Sequence, residues 1–348
     1  MIDSPNITPI PANWPKKVHE PEDYSAHTHW PKITLITPSF QQGKYIEDTI
    51  LSVLNQGYPN LEYIIVDGGS TDETVTILKK YADKLTWWVS EKDKGQSDAI
   101  NKGLTHATGE IFNWLCSDDM LMPGALKSIA LAFLNSNTNI VCGWSRQFSE
   151  TKDFGLACTT LYTSIPEIFY VSHICQPATW FRMALFRKLA PLNIHLHYAM
   201  DSELWLQYLI AYGRNHIQEI PSVITAYRYH DASKTISLDY KFREDKLGLI
   251  YSILKVFKAP LFLCKTYQPF QRTDFHTKSI TTSIHSDLPV TDILEYFTLE
   301  AISFSKVKRK YWLLICLLFY LVWLKPGRNI EAWKRMLKSK IAPKLFRS

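Results

Sequence analysis

Two adjacent carboxylates, Asp118 and Asp119, follow the apolar segment 111–115 after Cys116 and Ser117. Close carboxylates raise each other's pKa, so a neighbouring cation is expected to stabilise the pair. Carboxylate oxygens suit Mg²⁺ and Mn²⁺, which often complete their coordination with substrate phosphates. The pair therefore predicts a Mg²⁺ or Mn²⁺ site. The alternative is that both residues cap a helix that begins near Pro123.

The segments that must position this pair alternate between strand and helix. Apolar, β-branched runs predict four strands, each followed by a short polar turn, at residues 33–37, 61–66, 85–89 and 111–115. This alternation predicts parallel βαβ units in an α/β fold with a doubly wound, mostly parallel sheet. Because ligands bind beyond the carboxyl ends of such strands, we expect the four turns to meet at one edge of the sheet.

The turns lack the common phosphate-binding motifs. No Gly-x-Gly-x-x-Gly segment follows a strand, and no Gly-x-x-x-x-Gly-Lys-Ser/Thr segment occurs in the chain. The segment Gly68-Gly69-Ser70 is flanked by Asp67 and Asp72, whose negative charge disfavours a phosphate. Asp67 is better suited to accept hydrogen bonds from a base or a sugar. A phosphate bound here would have to arrive with its own metal ion.

Four ordered segments between about residues 31 and 229 resemble the successive motifs of family 2 glycosyltransferases of the GT-A fold. These motifs are Thr37-Pro38-Ser39-Phe40, Val66-Asp67-Gly68-Gly69-Ser70-Thr71-Asp72, Asp98-Ala99-Ile100-Asn101-Lys102-Gly103 and Ser117-Asp118-Asp119. Each motif stands at or after the end of a predicted strand. The resemblance implies an enzyme that uses a nucleoside diphosphate sugar.

The resemblance also implies a role for individual residues. Pro38, Asp67 and Asp98 would line the nucleotide pocket, and Asp67 would contact the edge of the base. Asp118 would contact the ribose. Asp119 would bind the Mn²⁺ or Mg²⁺ ion that bridges the diphosphate. Together, these five residues define the predicted donor site.

Two positions depart from the pattern of the family. Many members have an Asp where this chain has Cys116, which leaves fewer carboxylates for the metal. Many also have a second Asp at the position of Gly68, which bears on nucleotide affinity. These departures leave open an inactive glycan-binding or nucleotide-binding relative that acts as a scaffold. The intact residues Asp119 and Asp201 favour the enzyme.

Asp201 falls where the family places its general base, within the segment 198–205. It also opens an amphipathic helix, so that a helix N-cap is the alternative role. Further along the chain, His230 lies in the segment 227–234. In related enzymes a His in this segment approaches the metal or the diphosphate, and Mn²⁺ tolerates imidazole beside oxygen ligands. We therefore predict Asp201 as the catalytic base and His230 as a metal ligand.

The segment 176–182 resembles the acceptor side of the family's site. Gln176 and Trp180 are predicted to bind the acceptor, with the Trp180 ring stacked on a sugar face. The alternative for Trp180 is a core position, because it stands beside Phe181 and large aromatic side chains are usually well buried.

Composition limits the class of protein and its partners. The chain has 348 residues, of which 46% are hydrophobic, which is enough for a packed core. Its six cysteines show no paired short spacing, so a reducing compartment is expected. Residues 1–31 are rich in Pro and are expected to form an extended leader without an export signal. Residues 32–239 form the predicted catalytic domain, and residues 240–348 form a predicted helical extension.

The positive charge is concentrated at the end of the chain. Residues 305–348 contain twelve Lys or Arg and a single acidic residue, whereas the chain as a whole carries a net charge of +6. The charge therefore does not indicate nucleic-acid binding by the folded domain. Residues 311–324 are an unbroken apolar run of fourteen residues, too short to span a bilayer of about 30 Å. With basic flanks, the run predicts an interfacial or re-entrant helix at a membrane, and a buried core helix is the alternative.

These predictions combine into an inverting transfer of a monosaccharide from a nucleoside diphosphate sugar, with UDP-sugar as the expected donor. The acceptor would be a glycan or a polyprenyl-linked lipid, as the resemblance to enzymes of surface polysaccharide and lipopolysaccharide assembly implies. The expected location is the inner face of the cell membrane, with the protein peripheral and cytoplasmic. A sugar nucleotidyltransferase is the other enzymatic alternative, but residues 39–42 lack the Gly-rich, Arg-containing loop that it would need.

Overall fold

The computed structural model describes residues 9–17, 22–159, 169, 174–231, 233, 239–270, 284–307 and 311–325. Within these residues nine strands form one sheet, and they are β1 Ile33–Ser39, β2 Leu61–Asp67, β3 Trp87–Ser90, β4 Ile111–Trp114, β5 Met120–Leu121, β6 Ile140–Phe148, β7 Asp153–Cys158, β8 Thr179–Arg182 and β9 Ile217–Arg228. The same residues contain ten α-helices, which are α1 Ile46–Leu54, α2 Thr74–Lys80, α3 Gln96–Leu104, α4 Ala125–Phe133, α5 Met183–Leu189, α6 Met200–Tyr212, α7 Asp239–Val256, α8 Leu261–Tyr267, α9 Val290–Val307 and α10 Tyr311–Leu324.

The first four strands form the parallel part of the sheet, in the order β3-β2-β1-β4. Every residue of β1 is buried, as expected for a central strand of a parallel sheet that is covered on both faces. The helices α1, α2 and α3 connect these strands. The prediction of parallel βαβ units from the sequence is therefore confirmed for this half.

The second half of the sheet corrects the prediction of a mostly parallel sheet. Strand β8 pairs antiparallel with both β4 and β6, and β7 and β5 also pair antiparallel with their neighbours. Only β6 and β9 are parallel to each other in this half. The sheet is mixed because apolar periodicity identifies a strand but does not specify the direction in which the chain re-enters the sheet.

Described parts of the leader pack on the sheet domain through two tryptophans. Trp14 is buried and donates a hydrogen bond from Nε1 to the carbonyl of Leu121, at 2.9 Å. Trp30 is buried as well and lies edge-on to Tyr24. The Trp14 bond ties the chain that precedes β1 to β5, which follows the acidic loop.

The chain divides into two compact units. The first holds the nine strands and the start of α6, and the second holds residues 205–213 together with the helices from Tyr240 onward. In the second unit, α10 buries Leu317, Tyr320 and Leu321, and the Tyr320 ring packs edge-on against Phe262 of α8. No helix within the described residues combines the length and the apolar character that a membrane crossing requires. The basic residues 326–348 lie outside the described part of the chain.

Candidate active site

The ends of the first three strands lie side by side. In the sheet register Ser39 is opposite Asp67, and Asp67 is opposite Ser90. Strand β4 lies on the other side of β1, where Trp114 pairs with Ile36. The turns that follow these strands therefore leave the same edge of the sheet, as the sequence predicted.

The loop after β4 brings three potential metal ligands together. The Sγ atom of Cys116 and carboxylate oxygens of Asp118 and Asp119 all lie within 4.8 Å of one another. From the sequence, Cys116 stands only as a residue that replaces a carboxylate found in many family members. Cys116 is two residues before Asp118, and this spacing was the sequence signal that its side chain could lie beside the two carboxylates. The cluster supplies two carboxylates, which suit Mg²⁺ or Mn²⁺, and one sulfur.

Asp119 is buried in a way that favours a cation beside it. Its side chain is 1% exposed, and its Oδ1 accepts a hydrogen bond from the backbone N–H of Arg228 at 3.0 Å. Burial and, after it, the charge of Asp118 raise the pKa of Asp119 well above its ordinary value. An ionised carboxylate at this position therefore lacks sufficient compensation from the protein, and a bound divalent cation would provide it. The residues present fit a metal ion.

Arg228 and His230 hold the acidic loop from the end of β9. The Arg228 Nε donates a hydrogen bond to the carbonyl of Asp118 at 3.0 Å, and its Nη2 lies 3.2 Å from Oδ2 of Asp48. The His230 Nε2 lies 2.9 Å from Oδ2 of Asp118, and the His230 ring packs against Tyr45. His230 thus orients Asp118 in this structure. Its predicted role as a metal ligand stays a prediction.

Asp67 is enclosed by its own turn. It is fully buried, and its carboxylate accepts hydrogen bonds from the backbone N–H groups of Gly69 and Ser70 and from the hydroxyls of Ser70 and Ser90. These four bonds fix the Gly69–Ser70 turn and join the ends of β2 and β3. The contact between Asp67 and a base stays a prediction.

The other two predicted nucleotide residues lie at the same edge. Pro38 is buried in β1 opposite Val66, and Asp98 lies in the first turn of α3, where its Oδ2 accepts the N–H of Lys94 at 3.0 Å. Phe40, which the sequence analysis did not select, directly follows β1 and is 60% exposed. An exposed aromatic ring at a strand end suits stacking on a base or a sugar.

The start of α3 connects the acidic loop with the start of α6. The Gln96 Nε2 lies 3.2 Å from Sγ of Cys116, and the Ser97 Oγ lies 2.7 Å from Sδ of Met200. A methyl group at Gly95 would come within 3.3 Å of the His197 ring. The N-cap residue and the first two residues of α3 therefore bring the Cys116 loop and the segment around Asp201 together.

Asp201 is the second residue of α6 and is half-buried. Its Oδ1 accepts the N–H of Ser202 at 2.7 Å. The helix begins at Met200, so Asp201 lies inside the first turn and does not occupy the N-cap position that the sequence analysis gave as an alternative. A negative charge in the first turn is stabilised by the helix dipole, which favours the ionised form that a general base requires.

The predicted acceptor residues Gln176 and Trp180 face the interior, which corrects the sequence analysis. Trp180 is 0% exposed and belongs to the core cluster that fills the sheet domain, so no sugar can stack on its ring. Gln176 is also buried, and its Nε2 donates hydrogen bonds to Asn113 and to the carbonyl of Trp114. Both side chains support β4, and neither is retained as an acceptor contact.

A model of the family described as Glycosyl transferase family 2 matches residues 34–198. The matched segment contains the first four strands and the acidic loop. The chain carries a family 2 glycosyltransferase domain. The resemblance inferred from the four motifs is therefore confirmed, and the mixed α/β sheet is the scaffold of this domain.

Two bacterial glycosyltransferases are among the proteins that are similar to this chain. RT0329, an uncharacterized glycosyltransferase of Rickettsia typhi, is 28% identical over 228 residues, which cover 60% of this chain and 67% of RT0329. TuaG of Bacillus subtilis, a candidate teichuronic acid biosynthesis glycosyltransferase, is 43% identical over 96 residues, which cover 26% of this chain and 38% of TuaG.

A solved structure similar to this chain is S. aureus TarS 1–349 in complex with UDP-GlcNAc. It superposes with a TM-score of 0.52 at 20% identity and covers 78% of this chain and 83% of TarS 1–349. At this identity the likeness concerns the fold. It shows that the mixed sheet and its helices are similar in fold to TarS 1–349.

Proposed function

We propose that this protein is an inverting glycosyltransferase that moves a monosaccharide from a nucleoside diphosphate sugar to a glycan or lipid-linked acceptor in the synthesis of a bacterial cell-surface polysaccharide. The observation that carries the proposal is the cluster of Cys116, Asp118 and Asp119 at the carboxyl edge of the parallel strands. The first residues of α3 link this cluster to the helix that carries Asp201. The UDP-GlcNAc complex of TarS supports a nucleotide-sugar donor, and the teichuronic acid biosynthesis described for TuaG supports a polysaccharide product.

In the donor site Asp118 and Asp119 would hold Mn²⁺ or Mg²⁺, with Cys116 beside them. When bound, the divalent cation supplies Lewis-acid stabilisation of the charge that develops on the departing diphosphate. Pro38, Asp67 and Asp98 would shape the nucleotide pocket around the strand ends. His230 would keep Asp118 in place through its bond at 2.9 Å. UDP-sugar is the donor that we propose.

Asp201 would act as the general base. Its carboxylate would take the proton from an acceptor hydroxyl as that oxygen attacks the anomeric carbon from the face opposite the diphosphate. Attack from that face inverts the configuration at the anomeric carbon. The first turn of α6 stabilises the carboxylate in its ionised form before it accepts the proton.

A screen of nucleotide sugars tests the proposal. In the presence of Mn²⁺, one donor at about 100 times its dissociation constant should raise the melting temperature by about 5 °C, because ligand binding stabilises the folded state by about 2.7 kcal/mol. The same donor should be turned over slowly when a membrane-lipid extract supplies acceptors. A panel of UDP-, GDP-, dTDP- and CDP-sugars that produces no shift with either Mn²⁺ or Mg²⁺ would favour an inactive scaffold instead.

We also propose that α10 holds the enzyme on the inner, cytoplasmic face of the cell membrane. One side of this helix exposes five apolar residues at helical spacing, which are Ile315, Leu318, Phe319, Val322 and Trp323. Basic residues precede and follow the helix in the sequence, and such a flank suits anionic lipid headgroups. The opposite side of the helix packs within its own unit, so the helix would lie along the membrane surface.

Replacing Phe319 and Trp323 together with Ser should reduce binding to vesicles that contain phosphatidylglycerol by about 100-fold, because each side chain loses an apolar burial of about 1.5 kcal/mol or more. Co-sedimentation with vesicles measures the effect. Leu134→Ser, which alters an exposed apolar residue outside α10, is the matched control and should bind as the wild type does. Undiminished sedimentation of the double variant would refute the proposed role of α10.

A further inference from the structure

The space directly over Gly68 is occupied by an acidic side chain from another loop. A Cβ atom built on Gly68 would lie 2.8 Å from Oδ2 and 3.2 Å from Cγ of Asp93. The N–H of Gly68 donates to the carbonyl of Ser39 at 2.8 Å, so this glycine lies where β1 and β2 end. The carboxylate of Asp93 therefore contacts the backbone of Gly68. This contact lies at the edge of the sheet where the nucleotide is proposed to bind.

Asp93 has an acceptor oxygen that the described residues leave without a hydrogen-bond donor. Its Oδ1 accepts the N–H of Gly95 at 2.8 Å, whereas no donor in the described part of the chain reaches its Oδ2. The side chain is half-buried. Burial, with smaller contributions from Asp98 and Asp67, raises the pKa of Asp93 above its ordinary value. This oxygen is partly removed from water. A hydrogen bond donated by a ligand would therefore stabilise the complex.

The neighbouring Asp67 is less suited to contact a ligand. It is fully buried, and four hydrogen bonds from Gly69, Ser70 and Ser90 already surround its carboxylate. These bonds hold the turn that supports Gly68 and Gly69. Asp67 thus shapes the edge of the sheet, and Asp93 presents an acceptor oxygen at that edge.

We propose that Asp93 is the residue that selects the base of the donor nucleotide, by accepting a hydrogen bond from a ring N–H. This inference rests on the proposed function. Uracil carries such an N–H at N3 and guanine carries one at N1, whereas cytosine presents an acceptor at N3 and adenine presents one at N1. A carboxylate oxygen attracts the first pair and repels the second. The absence of a side chain at Gly68 leaves the room that the Asp93 carboxylate occupies beside the ends of β1 and β2.

Calorimetric titration of the full chain with UDP, GDP and CDP in the presence of Mn²⁺ tests the inference. The wild type should bind UDP or GDP at least about 10-fold more tightly than CDP. Asp93→Asn should weaken binding of the preferred nucleotide by about 10- to 100-fold. It should also reduce the ratio of that affinity to the affinity for CDP, because the amide can donate a hydrogen bond to N3 of cytosine. Asp83→Asn makes the same chemical change at an exposed position and should leave all three affinities unchanged.

Gly68→Ala is a second variant that keeps the acid but pushes it aside, because the new methyl group would meet Asp93 Oδ2 at 2.8 Å. This variant should weaken binding of the same nucleotide. It provides the test if Asp93→Asn does not fold. Wild-type affinities and an unchanged preference over CDP in both variants would overturn the role of Asp93 while leaving nucleotide binding intact. A wild-type protein that binds none of the three nucleotides would overturn the proposed function together with this inference.

Discussion

Asp119→Asn should abolish metal-dependent binding of the donor diphosphate and reduce transfer by at least about 100-fold. The amide keeps an oxygen that can accept the N–H of Arg228, but it removes the buried negative charge that a divalent cation would neutralise. Two measurements check the result, which are calorimetry with Mn²⁺ and the donor, and the rate at which nucleoside diphosphate is released.

The same variant should fold at least as well as the wild type when metal is absent. Burial and the charge of Asp118 raise the pKa of Asp119, so its ionised form opposes folding at neutral pH, and Asn removes that cost. Thermal melting in the presence of a chelator measures this effect. Asp83→Asn is the control for both experiments. Metal-dependent donor binding that survives in Asp119→Asn would exclude Asp119 as a ligand.

Asp201→Asn should reduce the rate of transfer by about 10²- to 10⁴-fold, which is the range that a general base contributes. The amide has nearly the same size and can still accept the N–H of Ser202, so α6 should begin as before. Affinity for the donor nucleotide should be unchanged, because Asp201 would act on the acceptor hydroxyl. The assay is release of nucleoside diphosphate from the donor in the presence of a membrane-lipid extract.

The dependence on pH separates a base from a structural residue. A general base works only when it is ionised, so the wild-type transfer rate should fall at acidic pH, whereas the residual rate of Asp201→Asn should lack that fall. A variant that transfers sugar at the wild-type rate would reject Asp201 as the base and direct attention to another acid. A variant that also loses nucleotide affinity would indicate a role in the donor site.

Much of the donor side was predictable because it depends on local patterns. Parallel strands with short turns place the residues that follow them at one edge, so Asp67, Asp98, Asp118 and Asp119 were expected to gather there. The structure places them at that edge and adds Cys116 to the two carboxylates of the acidic loop. The acceptor side was less predictable, because the local pattern around Trp180 is the same for a core strand as for a binding strand.

The sequence by itself determined the strand–helix alternation, the position of the acidic loop and the family motifs, because each depends on residues close together in the chain. Only the tertiary structure decided that the sheet is mixed, that Trp180 is enclosed in the core and that Asp67 is already hydrogen-bonded by Ser70 and Ser90. It also placed Asp93 over Gly68, twenty-five positions away in the chain. These outcomes depend on which segments become neighbours in space, and that information is not contained in the spacing of residues within a single segment.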